Sequence, residues 1–204
     1  MSLPNKIVEF FSEIDRGIFI EVGSADGVQQ SNTKLLEQRG WRGLLVEPNK
    51  QLYDVCVQRR PNSYVINKAL VGKDFKNEKI EFFRHNLPLC SFTTEQHKGP
   101  DSTSDSEERK KRDVLNSDFV SVITLDDAIA EADLSDREIT FLSIDVESYE
   151  FNVLGGLDLT KNRPNYILVE TAFPDKILEI LDGYVLLWKH GDHDYMFEDE
   201  RGDK

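Results

Sequence analysis

The chain has 204 residues, 39% of them apolar, enough for one domain with a self-sufficient core. Its 38 acidic against 25 basic side chains give a net charge of −13, which argues against a nucleic-acid backbone or an anionic membrane as the main partner. No apolar run approaches a membrane span, the N-terminus lacks a signal-peptide pattern, and Cys56 and Cys90 have neither metal-site nor redox-motif spacing, so the expected setting is reducing and cytoplasmic.

Ile7, Phe10, Phe11 and Ile14 recur at helical spacing, and Pro4 suits a first turn, so an N-terminal helix is expected within residues 1–16, covering an edge or face of a sheet. Residues 17–22 form an apolar, β-branched run that reads as a strand buried on both faces. A turn with Gly23 and Gly27 follows, then a helix over 33–39 closed by Gly40. Residues 43–46 are a second strand, and 49–60 a helix with Leu52, Val55 and Cys56 on one face, stopped by Pro61. Cys56 reads as a small core residue rather than a reactive one.

A third strand over 64–66 ends at Asn67-Lys68-Ala69, and the runs 69–71 and 79–83, around a polar turn, suggest an added hairpin. Periodicity vanishes over 87–117, a segment read as a lid or insertion loop, partly helical around 107–115. Beyond it, 119–122 is ordered, Thr124 to Asp127 marks a capped helix start, and 139–144 is a strand ending at Asp145. A helix from about Tyr149 closes at Gly155-Gly156; a strand over 166–169 ends at Glu170; Pro174 opens a helix that Gly183 closes. Residues 184–188 and 195–197 form a terminal antiparallel pair. Strand–helix alternation of this kind implies an α/β domain over 1–204, a mostly parallel sheet with helices on both faces.

Chemistry gathers at the strand ends. A strand that runs into a glycine turn and feeds a helix presents free N–H groups at a cleft. Glu47 ends the next strand about twenty residues on, where a nucleoside ribose is held in doubly wound sheets. The spacing Glu21-x-Gly23-x-Ala25-x-Gly27 departs from the dinucleotide fingerprint, which disfavours a nicotinamide dehydrogenase. It resembles the S-adenosylmethionine loop of Rossmann-like methyltransferases, with Ala25 in place of the usual middle glycine. Asp145 and Glu170 end adjacent elements of the alternation and reach one sheet edge if their strands are neighbours. Asp145 or Glu147 is then a general base or an ammonium anchor; alternatively Asp145 and Glu170 ligate a divalent cation such as Mg²⁺. For Glu150, compensation of a helix N-terminus is the better reading. His85, His97, His190 and His193 read as solvated loop residues.

Residues 19–27, 43–49, 124–127 and 141–156 (FLSIDVESYEFNVLGG) together resemble the FkbM family of S-adenosylmethionine-dependent methyltransferases. A glycine usually follows the glutamate of that last segment; here Ser148 stands there. The resemblance implies a Rossmann-like, seven-stranded methyltransferase fold with a C-terminal antiparallel hairpin, and O-methylation of a sugar, glycan or other small-molecule hydroxyl. By position, Glu21, Gly23, Ser24, Ala25, Asp26 and Gly27 would surround the methionine part of the cofactor. Glu47 would bind the ribose, with Pro48 and Asn49 near the adenine and Asn67, Lys68 and Ala69 flanking its ring; Asp145 would also face the cofactor. Alternatives are a non-catalytic binding or scaffold protein that keeps the fold, and a protein methyltransferase. The expected partner is a small molecule or glycan, with no nucleic acid and no membrane.

Overall fold

The computed structural model describes residues 1–85, 91–93 and 114–201. In chain order its elements are α1 (Leu3–Phe10), β1 (Ile18–Val22), α2 (Lys34–Gln38), β2 (Arg42–Val46), α3 (Lys50–Arg59), β3 (Tyr64–Ile66), β4 (Ala69–Leu70), β5 (Lys79–His85), β6 (Ser91–Thr93), β7 (Val114–Ile123), α4 (Leu125–Glu131), β8 (Phe141–Ile144), α5 (Glu150–Gly155), β9 (Tyr166–Glu170), α6 (Pro174–Ile180), β10 (Tyr184–His190) and β11 (Asp194–Asp199).

The main sheet has seven strands in the order β10-β11-β9-β8-β1-β2-β3. Pairs β1–β2, β1–β8, β2–β3 and β8–β9 are parallel, whereas β11 runs antiparallel to both β9 and β10. The expected α/β Rossmann-like architecture with a C-terminal antiparallel hairpin is therefore present. Period-two alternation splits β1 between two cores: Ile20 and Val22 join the cluster of Leu125, Ile129, Val153 and Ile177 from α4, α5 and α6, while Phe19 joins Ile7, Leu36 and Cys56 from α1, α2 and α3, and Phe11 at the end of α1. Helices cover both faces, and Cys56 is a buried core thiol whose pKa burial pushes up to about 11. Among the described residues, no helix is long and apolar enough to cross a membrane.

Local chemistry sets several boundaries. Asn49 caps α3, its side chain accepting from the backbone N–H groups of Gln51 and Leu52, and Thr124 caps α4 by accepting from Asp127 N at 3.1 Å. Arg39 ties α2 to α1 by donating to the carbonyl oxygens of Val8, Phe11 and Ser12.

Two expectations need correction. Residues 69–71 and 79–83 do not pair as a hairpin: the second sheet runs β4-β7-β5-β6, so β7 lies between them, parallel to β4 and antiparallel to β5. The intervening partner comes from some forty residues downstream, and the short β4 (two residues) finds its ladder there rather than across the local turn. The segment 87–117 falls mainly outside the described residues, as do Cys90 and His97; where it is described, 91–93 and 114–117 are strand. Pairing with β5 extends β7 back to Val114, which overrides the helical reading at Val114 and Leu115.

Close approach of β1 and β2 depends on Gly43, where a Cβ would overlap the carbonyl oxygen of Phe19. Gly43→Ala is expected to destabilise the protein by about 3 kcal/mol or more, the upper range for overpacking. Chemical denaturation of the two proteins measures it, and a loss under about 1 kcal/mol would mean the strands can part at little cost.

Candidate functional site

The carboxyl ends of β1, β2, β8 and β9 and the amino end of the antiparallel β11 open into a cavity of about 450 Å³. Of the residues the sequence points to, Gly23, Ser24, Ala25, Glu47, Pro48, Lys68, Ala69, Asp145, Glu147 and Glu170 line it. Glu21, Asp26, Gly27, Asn49 and Asn67 do not; they hold the wall from behind.

Glu21 shows why. It has the same strand parity as Phe19, so its side chain enters the α2–α3 layer instead of the cleft, and it is only 4% exposed. Its carboxylate accepts from Ser31 Oγ (2.9 Å), Asn32 N (2.6 Å), Thr33 Oγ1 (2.7 Å) and Arg60 Nη1 (3.2 Å). The expected contact with the methionine part of a cofactor is thus replaced by a tether on the far end of the loop. Asp26 tethers the near end, accepting from Val28 N and Gln29 N and pairing with Arg59; despite its burial, those N–H groups and Arg59 hold its pKa below the ordinary carboxyl value. Gly27 packs on Arg60 and Cys56 at φ +77, and Gly23, at φ +80, is pressed by the backbone of Asp145. Both glycines serve chain-to-chain approach. Asn67 Nδ2 donates to the carbonyl oxygens of Glu47 (2.8 Å) and Pro48 (3.0 Å), bracing the turn after β2.

Glu47 is the polar centre of the other end. Its Oε2 accepts from Ala25 N at 2.8 Å and its Oε1 from Asn49 N at 2.7 Å, which fixes the carboxylate between the loops after β1 and β2. Burial raises its pKa to about 7, against the lowering effect of those two N–H groups. Each oxygen retains acceptor capacity toward the cavity, suited to vicinal hydroxyls. Val46, Leu52, Leu70 and Phe82 supply apolar surface beside it. The sequence places none of these four at the site, since nothing local separates them from other core residues.

At the opposite end one row of register partners crosses the sheet edge. Glu170 of β9 faces Asp194 of β11, which faces His190 of β10, and Asp145 follows β8 directly beside Glu170. Asp145 and Glu170 are successive to the register pair Ile144 and Val169, so their carboxyl groups stand side by side at the sheet edge. Burial first, then the charges of Glu170 and Glu147, the Glu170 hydrogen bond and Asp194 push the Asp145 pKa up to about 8. Asp194 is raised likewise, by burial and Glu170, against the opposing charges of His190 and His193. The two histidines, read from sequence as solvated loop residues, therefore stand electrostatically next to the row. Among the described residues, no group of three or more His, Cys, Asp or Glu side chains could hold a metal ion. With only the two carboxyls and no third ligand among the described residues, Asp145 and Glu170 do not make the expected divalent-cation site. Glu150 does what its helix position implies: its carboxylate accepts from Ser148 N at 2.8 Å at the start of α5, and burial lifts its pKa to about 7.

Both departures from the glycine pattern fall at left-handed backbone positions: Ala25 at φ +48 and Ser148 at φ +74, the latter next to Glu147 at φ +53. The turn geometry is kept and the side chain is carried at a cost.

Residues 21–198 match the family described as the methyltransferase FkbM domain. No curated protein matches the chain in sequence. Among solved structures, a TehB-like SAM-dependent methyltransferase from Corynebacterium glutamicum is 10% identical over 98% of this chain and 89% of its own, with a TM-score of 0.47. A ribosomal protein L11 methylase from Lactobacillus delbrueckii subsp. bulgaricus is 9% identical over 98% and 77%, with a TM-score of 0.49. TrmK of M. capricolum, solved with S-adenosyl-homocysteine, is 8% identical over 98% and 69%, at 0.47. Likenesses this distant carry nothing for the chemistry of this chain.

Two measurements test the site's physics. Ala25→Gly and Ser148→Gly should each raise stability by about 1 kcal/mol, because a left-handed L-residue costs about 1–2 kcal/mol and glycine gives back about half in chain entropy; destabilisation of both would show that their side chains make contacts worth more than the strain. Stability should also fall with rising pH. Glu47, Glu150 and Asp145 keep their protons in the folded protein to about 7, 7 and 8, whereas the unfolded chain releases them near the ordinary 4.5, 4.5 and 3.8. Between those limits the folded state binds more protons, so each unit of pH rise weakens it. Thermal melting should show a midpoint that drops between about pH 5 and about pH 8, and a rising midpoint there would contradict the raised values.

Proposed function

We infer how this chain works from one premise: it belongs to the methyltransferase FkbM family and is an S-adenosylmethionine-dependent methyltransferase. The residues of the cavity fit that cofactor: an anchored carboxylate for ribose hydroxyls, an apolar wall for a purine, and carboxyl groups for the cationic end. When bound, S-adenosylmethionine supplies an electrophilic methyl group on a sulfonium.

The acceptor atom is a hydroxyl oxygen of a sugar, glycan or other small molecule. The observation that supports this is the Asp145–Glu170 pair, two adjacent carboxyls lining the end of the cavity opposite Glu47. A hydroxyl is a poor nucleophile and needs its proton taken as the oxygen attacks. Asp145, with its pKa pushed toward the working range, is the proton acceptor, and Glu170 moderates it by sharing the charge. Glu147, exposed at the rim, adds negative charge beside Asp145 and lines the acceptor's approach. Glu47, held by Ala25 N and Asn49 N, orients the ribose, while Pro48, Lys68, Ala69 and Leu70 border the base. The loop from Gly23 to Asn32 fixes the remaining wall, and alignment of acceptor, methyl and leaving sulfur follows from this rigidity.

Ala25 and Ser148 keep the backbone of the positions they occupy, so they lend no support to a non-catalytic scaffold. A negatively charged chain with an acid-lined cavity also favours small uncharged or cationic acceptors over nucleic acid.

A paired experiment tests the two ends of the cavity. Glu47→Ala should weaken S-adenosylmethionine binding by about 1–3 kcal/mol in calorimetry, as loss of a charge-assisted hydrogen bond does. Asp145→Asn should lower label transfer from radiolabelled S-adenosylmethionine into a metabolite extract by about 10²-fold or more, with affinity little changed. An unchanged affinity in the first variant removes Glu47 from the ribose, and equal losses of affinity and transfer in the second make Asp145 an anchor.

A further inference from the structure

The last turn of α3 leads into Arg60, which lines no part of the cavity and is wholly buried (0% exposed). Its guanidinium is nevertheless spent almost entirely on the cavity's wall. Nη1 donates to Gly27 O (3.1 Å), Ser31 Oγ (3.1 Å) and Glu21 Oε2 (3.2 Å), and Nη2 donates to Thr33 Oγ1 at 2.9 Å. Only Nε turns elsewhere, to Glu37 Oε2 of α2 at 2.8 Å. Its stem fills the space a side chain would need at Gly27, where a Cβ would meet Arg60 Cγ at 2.7 Å.

Three of those acceptors, Gly27, Ser31 and Thr33, bracket the segment whose Gln29, Gln30, Ser31 and Asn32 face the cavity. The fourth, Glu21, is itself bonded to Ser31, Asn32 and Thr33. One planar fork thus fixes both ends of the segment and the carboxylate between them, a geometry that a lysine ammonium cannot copy. Buried ion pairs add little net stability relative to apolar packing, so the use of a buried guanidinium here is better explained by the shape it imposes.

We propose that Arg60 is the positioning residue for the methyl donor: it sets the geometry of the loop that the donor binds, and so sets donor affinity without touching it. This rests on the reading of the cavity as the S-adenosylmethionine site. The bonds of Arg60 divide into those that fasten the loop and the one that fastens α2, and this division makes the role separable from ordinary stability.

The test is calorimetry with S-adenosylmethionine, alongside thermal melting, on the full chain and on Arg60→Lys and Glu37→Gln. Arg60→Lys keeps the charge and loses the fork; it is expected to weaken donor binding by about tenfold. Glu37→Gln loosens α2 and is expected to lower the melting temperature with donor affinity held within about twofold. An Arg60→Lys protein that melts lower but binds the donor as tightly as the native chain would make Arg60 a stability residue only, and the proposal would be overturned. Equal affinity losses in both variants would overturn it as well, as general loosening. If Arg60→Lys does not fold, Thr33→Val, which deletes the Nη2 acceptor, is measured against the same two outcomes. Absence of donor binding by the native chain is a different result: it removes the cavity assignment, and the proposal with it.

Discussion

Burial of the Glu21 carboxylate is the constraint from which the rest of the site follows. A charge this deep must be matched by donors, and the donors it draws are Ser31, Asn32, Thr33 and Arg60. Drawing them pulls the chain after β1 back over the sheet and into the start of α2. The turn at Gly23 and the contact of Gly27 with α3 are the geometric terms on which that return is possible. The loop is therefore rigid because a buried acid inside the adjoining layer holds it.

Strand parity then distributes the acids. Glu21, Ser143, Leu168 and Met196 form one row of partners across β1, β8, β9 and β11, facing the α1–α3 layer. Two residues further along, Gly23, Asp145, Glu170 and Asp194 form the next row on the same side, beyond the cover of the helices. The same residue type is thus a structural anchor in one row and part of the cavity's lining in the next. Beside Glu170 and buried, Asp145 holds its proton well above the ordinary carboxyl range. Glu47 lies at the other end of the opening, where backbone N–H groups satisfy part of its demand and the cavity is left to satisfy the remainder.

Ala25 and Ser148 illustrate how far a sequence pattern can drift while the backbone stays. Each holds a left-handed conformation that glycine would adopt freely. The tethers around each turn, Glu47 on Ala25 N and Glu150 on Ser148 N, over-determine the path of the chain. Strain of this kind persists where surrounding structure enforces it.

The linear order of strands, turns and helices was legible in the sequence because it rests on short-range signals: alternation, helical spacing, caps such as Asn49 and Thr124, and breakers such as Gly40 and Pro61. The positions of Glu47, Asp145 and Glu170 at strand ends were legible for the same reason. Their surroundings were not. That Glu21 turns away from the cleft, that Arg60 lies behind the loop, and that Asp194 and His190 line up with Glu170 depend on which strands become neighbours. So does the insertion of β7 between β4 and β5. Apart from the local pairing of His190 with Asp194, those pairings join residues from tens to well over a hundred positions apart, and they are fixed by burying two faces of one sheet at once, a global condition that no local window of the chain contains.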